Sequence, residues 1–123
     1  MEGPLGQSKI VVLCGSTRFT KQMLIKQWEY ARAGILAIGW CVLPDSSFEA
    51  GQGGHETRGK QHDVKNIKDE LHLRQIDMAD EVFILNIGGY IDKSTQDEIN
   101  HAYAQHKPVI YQELPDFLRV GEY

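Results

Sequence analysis

The sequence predicts an α/β fold, a single flavodoxin- or Rossmann-like three-layer domain around a mainly parallel four-stranded sheet in the order 2-1-3-4. Three observations predict it. Two runs, Lys9 to Cys14 (Lys-Ile-Val-Val-Leu-Cys) and Val82 to Leu85 (Val-Phe-Ile-Leu), are almost continuously apolar, as strands covered on both faces must be. Segments with helical periodicity alternate with such runs, so crossovers join the strands, and parallel pairing with right-handed connections is the default. At 123 residues the chain has room for one core and not for two.

Taken in order, residues 1–8 read as a flexible leader and residues 9–111 as the domain. After the first strand, Gly15-Ser16-Thr17-Arg18 turns the chain. Phe19 to Ala33 then carries Phe19, Met23, Leu24, Trp28 and Ala31 at helical spacing, and Gly34 is its natural stop. Ile35 to Leu43 reads as the second strand, ended by Pro44-Asp45. Ser46 to Lys60 is polar and glycine-rich, and a loop of that length in a small domain is usually functional or disordered. Val64, Ile67, Leu71, Leu73, Ile76 and Met78 mark a second helix, apolar around much of its circumference. Such a helix packs on two sides, which leads us to expect a homodimer. The third strand, Val82 to Leu85, runs into Asn86-Ile87-Gly88-Gly89. Ile99, Ala102, Tyr103 and His106 follow at i, i+3, i+4, i+7 of a last helix, Lys107 to Tyr111 forms the fourth strand, and residues 112–123 are a tail.

Hydrophobic residues make up 41% and charged residues 24%, an ordinary globular composition. The formal net charge of -4 argues against nucleic-acid binding through a basic surface, although a local pocket could still take a small anionic ligand. No apolar run is long enough to span a bilayer and the first residues lack a signal-peptide layout, so no membrane partner and a cytoplasmic location are expected. Cys14 and Cys41 both fall in strand-like runs and read as buried, reduced thiols rather than a disulfide framework.

The chemistry gathers where strands turn into helices. A strand ending in Gly88-Gly89 and turning into a helix makes a crevice at its carboxyl end, where open α/β sheets bind ligands. Asp92 and Glu98 flank that turn. Thr95-Gln96-Asp97-Glu98 is also a capping box, in which Glu98 would bond back to the Thr95 amide, and on spacing alone the box is the better account. In the first turn, backbone N–H groups, Ser16, Thr17 and Arg18 suit an anion such as phosphate, against the plainer reading of Ser16 or Thr17 as a helix cap. No P-loop pattern is present. His72 lies beside Asp69 and Glu70 in the second helix, where a lone His is more often structural than catalytic. Tyr90, next to the glycines, packs or stacks on a base, and Trp40 reads as packing. His55, His62 and Asp63 match no metal-ligand spacing, so neither a metal nor another cofactor is assigned.

In order and spacing these pieces resemble the nucleoside 2-deoxyribosyltransferase superfamily, which includes the 2'-deoxynucleoside 5'-phosphate N-hydrolases. The likeness covers roughly Lys9 to Tyr111. It rests on Cys14-Gly15-Ser16-Thr17-Arg18, on Ile76-Asp77-Met78-Ala79-Asp80-Glu81-Val82, and on the acidic turn ending in Glu98-Ile99-Asn100-His101-Ala102. The resemblance implies a small-molecule nucleoside or nucleotide substrate, Glu98 as nucleophile and Asp92 at the family's second aspartate; either Asp92 or His72 is the candidate acid for the departing base. It further implies Gly15, Ser16 and Arg18 around a 5'-phosphate, and a homodimer; Thr17, Gly88, Gly89, Tyr90 and Ser94, on the same two turns, are the remaining candidates for the substrate site. The sequence departs from the family at Val12, where a catalytic tyrosine is expected, at His72, where an aspartate is, and at Asn100 in place of a glycine. Two other readings stand beside this one. One is a phosphoribohydrolase of the cytokinin-activating type, echoed by Gly88-Gly89 and Thr95 to Glu98. The other is a nucleotide-binding or sensing module without turnover, which Val12 and Asn100 favour.

Overall fold

A computed structural model of the protein describes residues 9–41 and 58–118. Strand β1 (Ile10–Gly15) lies at the centre, paired in parallel with β2 (Leu36–Ile38) on one side and β3 (Glu81–Leu85) on the other; β3 pairs in parallel with β4 (Val109–Tyr111). The order is β2-β1-β3-β4, as the sequence predicts. Three α-helices are described: α1 (Thr20–Arg32), α2 (Arg58–Met78) and α3 (Lys93–Ala104). None of the described helices is long and apolar enough to cross a membrane.

Consecutive strand residues point to opposite faces, and the two faces have different covers. Val11 and Leu13 of β1, with Phe83 and Leu85 of β3, pack with Met23 of α1. Val12 and Cys14, with Val82 and Ile84, pack with Ile76 of α2 and with Ile99 and Ala102 of α3. These side chains are at most 7% exposed, and full burial of each Val, Leu or Ile stabilises the fold by about 1.5–3 kcal/mol. This is a three-layer arrangement with α1 on one face and α2 and α3 on the other. The chain leaves β1 towards β2 and leaves β3 towards β4, in opposite directions, so a crevice opens at the carboxyl ends of β1 and β3. Gly15 is fixed by that junction: a Cβ there would stand 3.0 Å from the Leu85 carbonyl oxygen and 3.1 Å from Leu85 Cβ.

Several boundaries differ from expectation. The second strand is three residues long because, at the sheet edge, it pairs only with Ile10 to Val12. Beyond it Trp40 turns inward, its Nε1–H donating to Thr20 Oγ1 at 3.1 Å, while Cys41 is exposed rather than buried. Residues 42 and 43 of the expected strand lie outside the described residues, as does the glycine-rich loop through residue 57; residues 58–60, assigned to that loop, are helical. A 3-10 turn over Thr17–Phe19 precedes α1. Of the apolar series expected from Phe19 to Ala31 only Phe19, in that turn, and Met23 are buried, whereas Leu24 and Trp28 are 48% and 61% exposed. Helix α3 ends two residues before His106, which sits at φ 61°. The fourth strand starts at Val109 because Pro108 has no N–H to donate and joins the ladder through its carbonyl alone. Lys107 Nζ donates to the carbonyls of Asp77 and Ala79, and the Pro108 carbonyl accepts from Val82 N–H.

Residues following β4 are stitched to the end of β3. Gln112 N–H donates to the Ile84 carbonyl, Asn86 exchanges two side-chain bonds with the Glu113 backbone, and Gly88 N–H donates to Glu113 Oε2 at 2.9 Å.

Candidate functional site

A pocket of about 270 Å³ opens at the carboxyl ends of β1 and β3, on the α2/α3 side. Its walls come from four places: the turn after β1 (Gly15, Thr17), the segment after β2 (Trp40, Cys41), one stripe of α2, and the start of α3 (Asp92, Ser94, Glu98). The α2 stripe is Lys68, Leu71, His72 and Gln75, the i, i+3, i+4, i+7 positions of one helical face, with Asp69 beside Lys68 at its edge.

The start of α3 decides where Glu98 points. The helix begins at Lys93, and Asp92 is its N-cap: extended at φ -85°, ψ 177°, with Oδ1 accepting from the Thr95 N–H at 2.9 Å. Thr95 is therefore the third helical residue, not a cap, and the capping box is overturned. The amide it would have offered to the glutamate belongs to Asp92. Glu98, one turn later, instead faces the pocket, with its side chain 12% exposed and Oε1 3.8 Å from His72 Nε2.

Next to this pair lies Cys14, fully buried, with Sγ 3.3 Å from His72 Nε2. Burial pushes the Cys14 thiol well above its ordinary value, and the hydrogen-bonded Glu98 carboxylate pushes it further, so the sulfur carries its proton. His72 moves the other way. Burial lowers its pKa, with the Gln75 side chain, the Asp69 charge and the Leu13 backbone opposing, and the ring is neutral at pH 7. Among the described residues two buried side-chain oxygens have no partner in hydrogen-bonding geometry, Gln75 Oε1 and Thr95 Oγ1, and the first belongs to a pocket-lining residue.

Of the residues singled out in the sequence, Gly15, Thr17, His72, Asp92, Ser94 and Glu98 meet in this pocket. Ser16, Arg18, Gly88, Gly89 and Tyr90 are not part of its lining. Ser16 is buried and its Oγ accepts from the Arg18 N–H at 3.2 Å, the capping role set against phosphate binding above. The Arg18 guanidinium stacks 3.8 Å over the Tyr90 ring, a cation–π contact joining the turns after β1 and β3. Gly88 and Gly89 hold φ of 68° and 82°, a left-handed backbone that favours glycine, and a Cβ on either would meet open space. His55 lies outside the described residues, as do the side chains of His62 and Asp63.

Sequence reasoning missed Lys68 and Gln75, and read Cys14, Cys41 and Trp40 as packing alone. The signal for the first two was available: counted from His72, they sit at -4 and +3 on the same face of a helix whose period was plain. The Ile76 to Val82 stretch has a structural task instead. Asp80 Oδ2 accepts from the Ile10 N–H at 2.7 Å, Lys9 pairs with Glu81 at 2.9 Å, and Asp77 meets His101 at 2.7 Å. It fastens α2 to the amino end of the sheet, away from the pocket. The chain matches no protein-family model and no curated protein.

Proposed function

We propose that the protein cleaves or transfers the N-glycosidic bond of a (deoxy)nucleoside or its 5'-monophosphate, with the Glu98 carboxylate as nucleophile. One observation carries the reading: because Asp92 takes the Thr95 amide, Glu98 is turned into the pocket at the switch point of the sheet rather than onto its own helix. Cleavage of a glycosidic C–N bond passes through an oxocarbenium-like sugar. Glu98 attacks the anomeric carbon to give a glycosyl-enzyme ester while the base departs with a proton. Asp92, on the same wall, is the candidate acid. Neutral His72, with Nε2 beside Glu98, then takes the proton of the water, or of the second base, that releases the sugar. Lys68 is the cation of the described lining, and with the turn at Gly15 and Thr17 it offers a small anion a positive side chain and backbone N–H groups. The pocket lies just below the ~300–1,000 Å³ of small-molecule sites, suited to a ligand of nucleoside size.

The test is release of free base from deoxynucleoside monophosphates. Glu98→Gln keeps the size of the side chain and should lower turnover by roughly a thousandfold or more, as loss of a nucleophile does, with an unchanged melting temperature. Turnover equal to the parent protein would remove Glu98 from the mechanism. A second reading, nucleotide binding without turnover, is favoured by Val12. It is wholly buried in the core, so no hydroxyl stands where the resembling family has its tyrosine. A melting-temperature rise with nucleotides and no base released would support it.

A further inference from the structure

The sequence assigns no metal, yet the fold brings together three ligand types that its linear spacing hides. Cys14 is the penultimate residue of β1, His72 lies in α2 and Glu98 in the second turn of α3. Their ligand atoms lie within 4.8 Å of one another. Cys14 Sγ and His72 Nε2 are 3.3 Å apart, and His72 Nε2 and Glu98 Oε1 3.8 Å. In a tetrahedral zinc site, bonds of ~2.3 Å to sulfur and ~2.0–2.2 Å to nitrogen and oxygen put neighbouring ligand atoms roughly 3.4–3.6 Å apart. The two distances bracket that edge, so small side-chain shifts close the set around an ion.

We propose that Cys14, His72 and Glu98 form a three-ligand site for zinc or a similar borderline-soft divalent cation, with the fourth position open to the pocket. The donor chemistry selects the ion: one sulfur, one imidazole nitrogen and one carboxylate suit zinc, whereas magnesium and calcium take oxygen ligands. Charge also balances. A thiolate and a carboxylate neutralise a divalent cation, leaving no net charge in a site where Cys14 is wholly buried and His72 only 6% exposed. Binding exchanges the Cys14 S–H bond for an S–metal bond and releases that proton to solvent. Gln75, one turn along α2 from His72, holds its buried side-chain oxygen near the imidazole, the kind of outer partner that orients a metal-ligating histidine. Metal binding does not depend on the glycosidase reading. If that reading holds, the same carboxylate cannot ligate the ion and attack a sugar, and zinc inhibits turnover.

The experiment is cobalt(II) titration of the full chain, reduced and freed of metal, followed by absorption. A thiolate-to-cobalt charge-transfer band with visible bands of tetrahedral intensity, saturating at one ion per chain and bleached by zinc, is the expected result. Cys14→Ser should lose the charge-transfer band. Glu98→Gln and His72→Asn, which keep polar side chains in place, should weaken binding at least about tenfold, and Cys41→Ser should leave the spectrum unchanged. Absence of the band overturns the site, as does a band that survives in Cys14→Ser or disappears in Cys41→Ser. Should Cys14→Ser not fold, Glu98→Gln decides: unaltered cobalt affinity refutes the site. The two readings fail separately, since a cobalt band without base release removes the glycosidase alone, and base release without the band removes the metal site alone.

Discussion

The two faces of the sheet are built from the same strands and end differently. On the α1 face, Val11, Leu13, Met23, Phe83 and Leu85 make a dry core, and at its carboxyl end Trp40 and Gly15 pack closely against Leu85. On the α2/α3 face, Val12, Ile76, Val82, Ile84 and Ile99 pack as tightly, but the next layer holds Cys14, His72 and Glu98. One face spends its end on packing, the other on polar groups that burial disfavours. Buried thiol, imidazole and carboxylate contribute little to folding, and sites that depart from apolar packing in this way are where function is expected.

The largest stability effect should fall on the dry face. Met23 is 1% exposed, and Met23→Ala should cost about 2–5 kcal/mol in urea unfolding. Base release per folded molecule should stay the same, because His72, Asp92 and Glu98 are carried by α2 and the start of α3, and the tie from the pocket to α1 runs through Trp40 and Thr20 rather than Met23; a selective loss of turnover would break the division between the faces.

The opposite face predicts a smaller cost. His72→Leu, in chelator-treated protein, should cost about 1–3 kcal/mol at pH 7, because it strips Cys14 Sγ and the Leu13 backbone of a buried partner. The pH dependence follows from the lowered pKa of His72. The unfolded ring takes a proton near 6.5 and the folded ring only at lower pH, so stability is complete above 6.5 and is lost as pH falls below it. The slope is at most ~1.4 kcal/mol per pH unit for one proton. Asp69, Glu98, Cys14 and Gln75 surround the ring, and His72→Leu should flatten this acid limb. An acid limb identical in the variant would place the proton elsewhere.

The smallest effect concerns Asp92, which both caps α3 and lines the pocket. Asp92→Ala should destabilise by about 1 kcal/mol, and Asp92→Asn, an equally good cap, by almost nothing. Turnover separates the two roles. If Asp92 donates the proton to the leaving base, the asparagine variant keeps its melting temperature and loses base release; if it only caps the helix, base release survives with the fold.

The fold was legible because its strongest signals are local. The runs around Val11 to Leu13 and Val82 to Leu85 could only be strands buried on both sides, and a parallel sheet of four with crossovers admits few orders. Less could be read where neighbours compete. Asp92, Ser94 and Thr95 are all capping residues within four positions, and tertiary packing settles the choice by burying Thr95 to 1% and leaving Asp92 at the helix start. Cys41 has strand-like neighbours, yet an edge strand paired only with Ile10 to Val12 ends before reaching it. The meeting of Cys14, His72 and Glu98 is a property of the fold rather than of any stretch, since 58 residues separate the first pair. Apolar periodicity shows which face of α2 is buried and is silent on the polar residues sharing that face, which is why Lys68 and Gln75 escaped notice.

The central claim is a covalent bond between Glu98 and the sugar. Intact-mass spectrometry of protein quenched during turnover of a deoxynucleoside monophosphate, followed by peptide mapping, tests it most directly. The account predicts a population heavier by one deoxyribosyl phosphate, with the adduct on the peptide containing Glu98 and absent in Glu98→Gln. Base released with no adduct at any quench time, or an adduct mapping to another carboxylate, would contradict it.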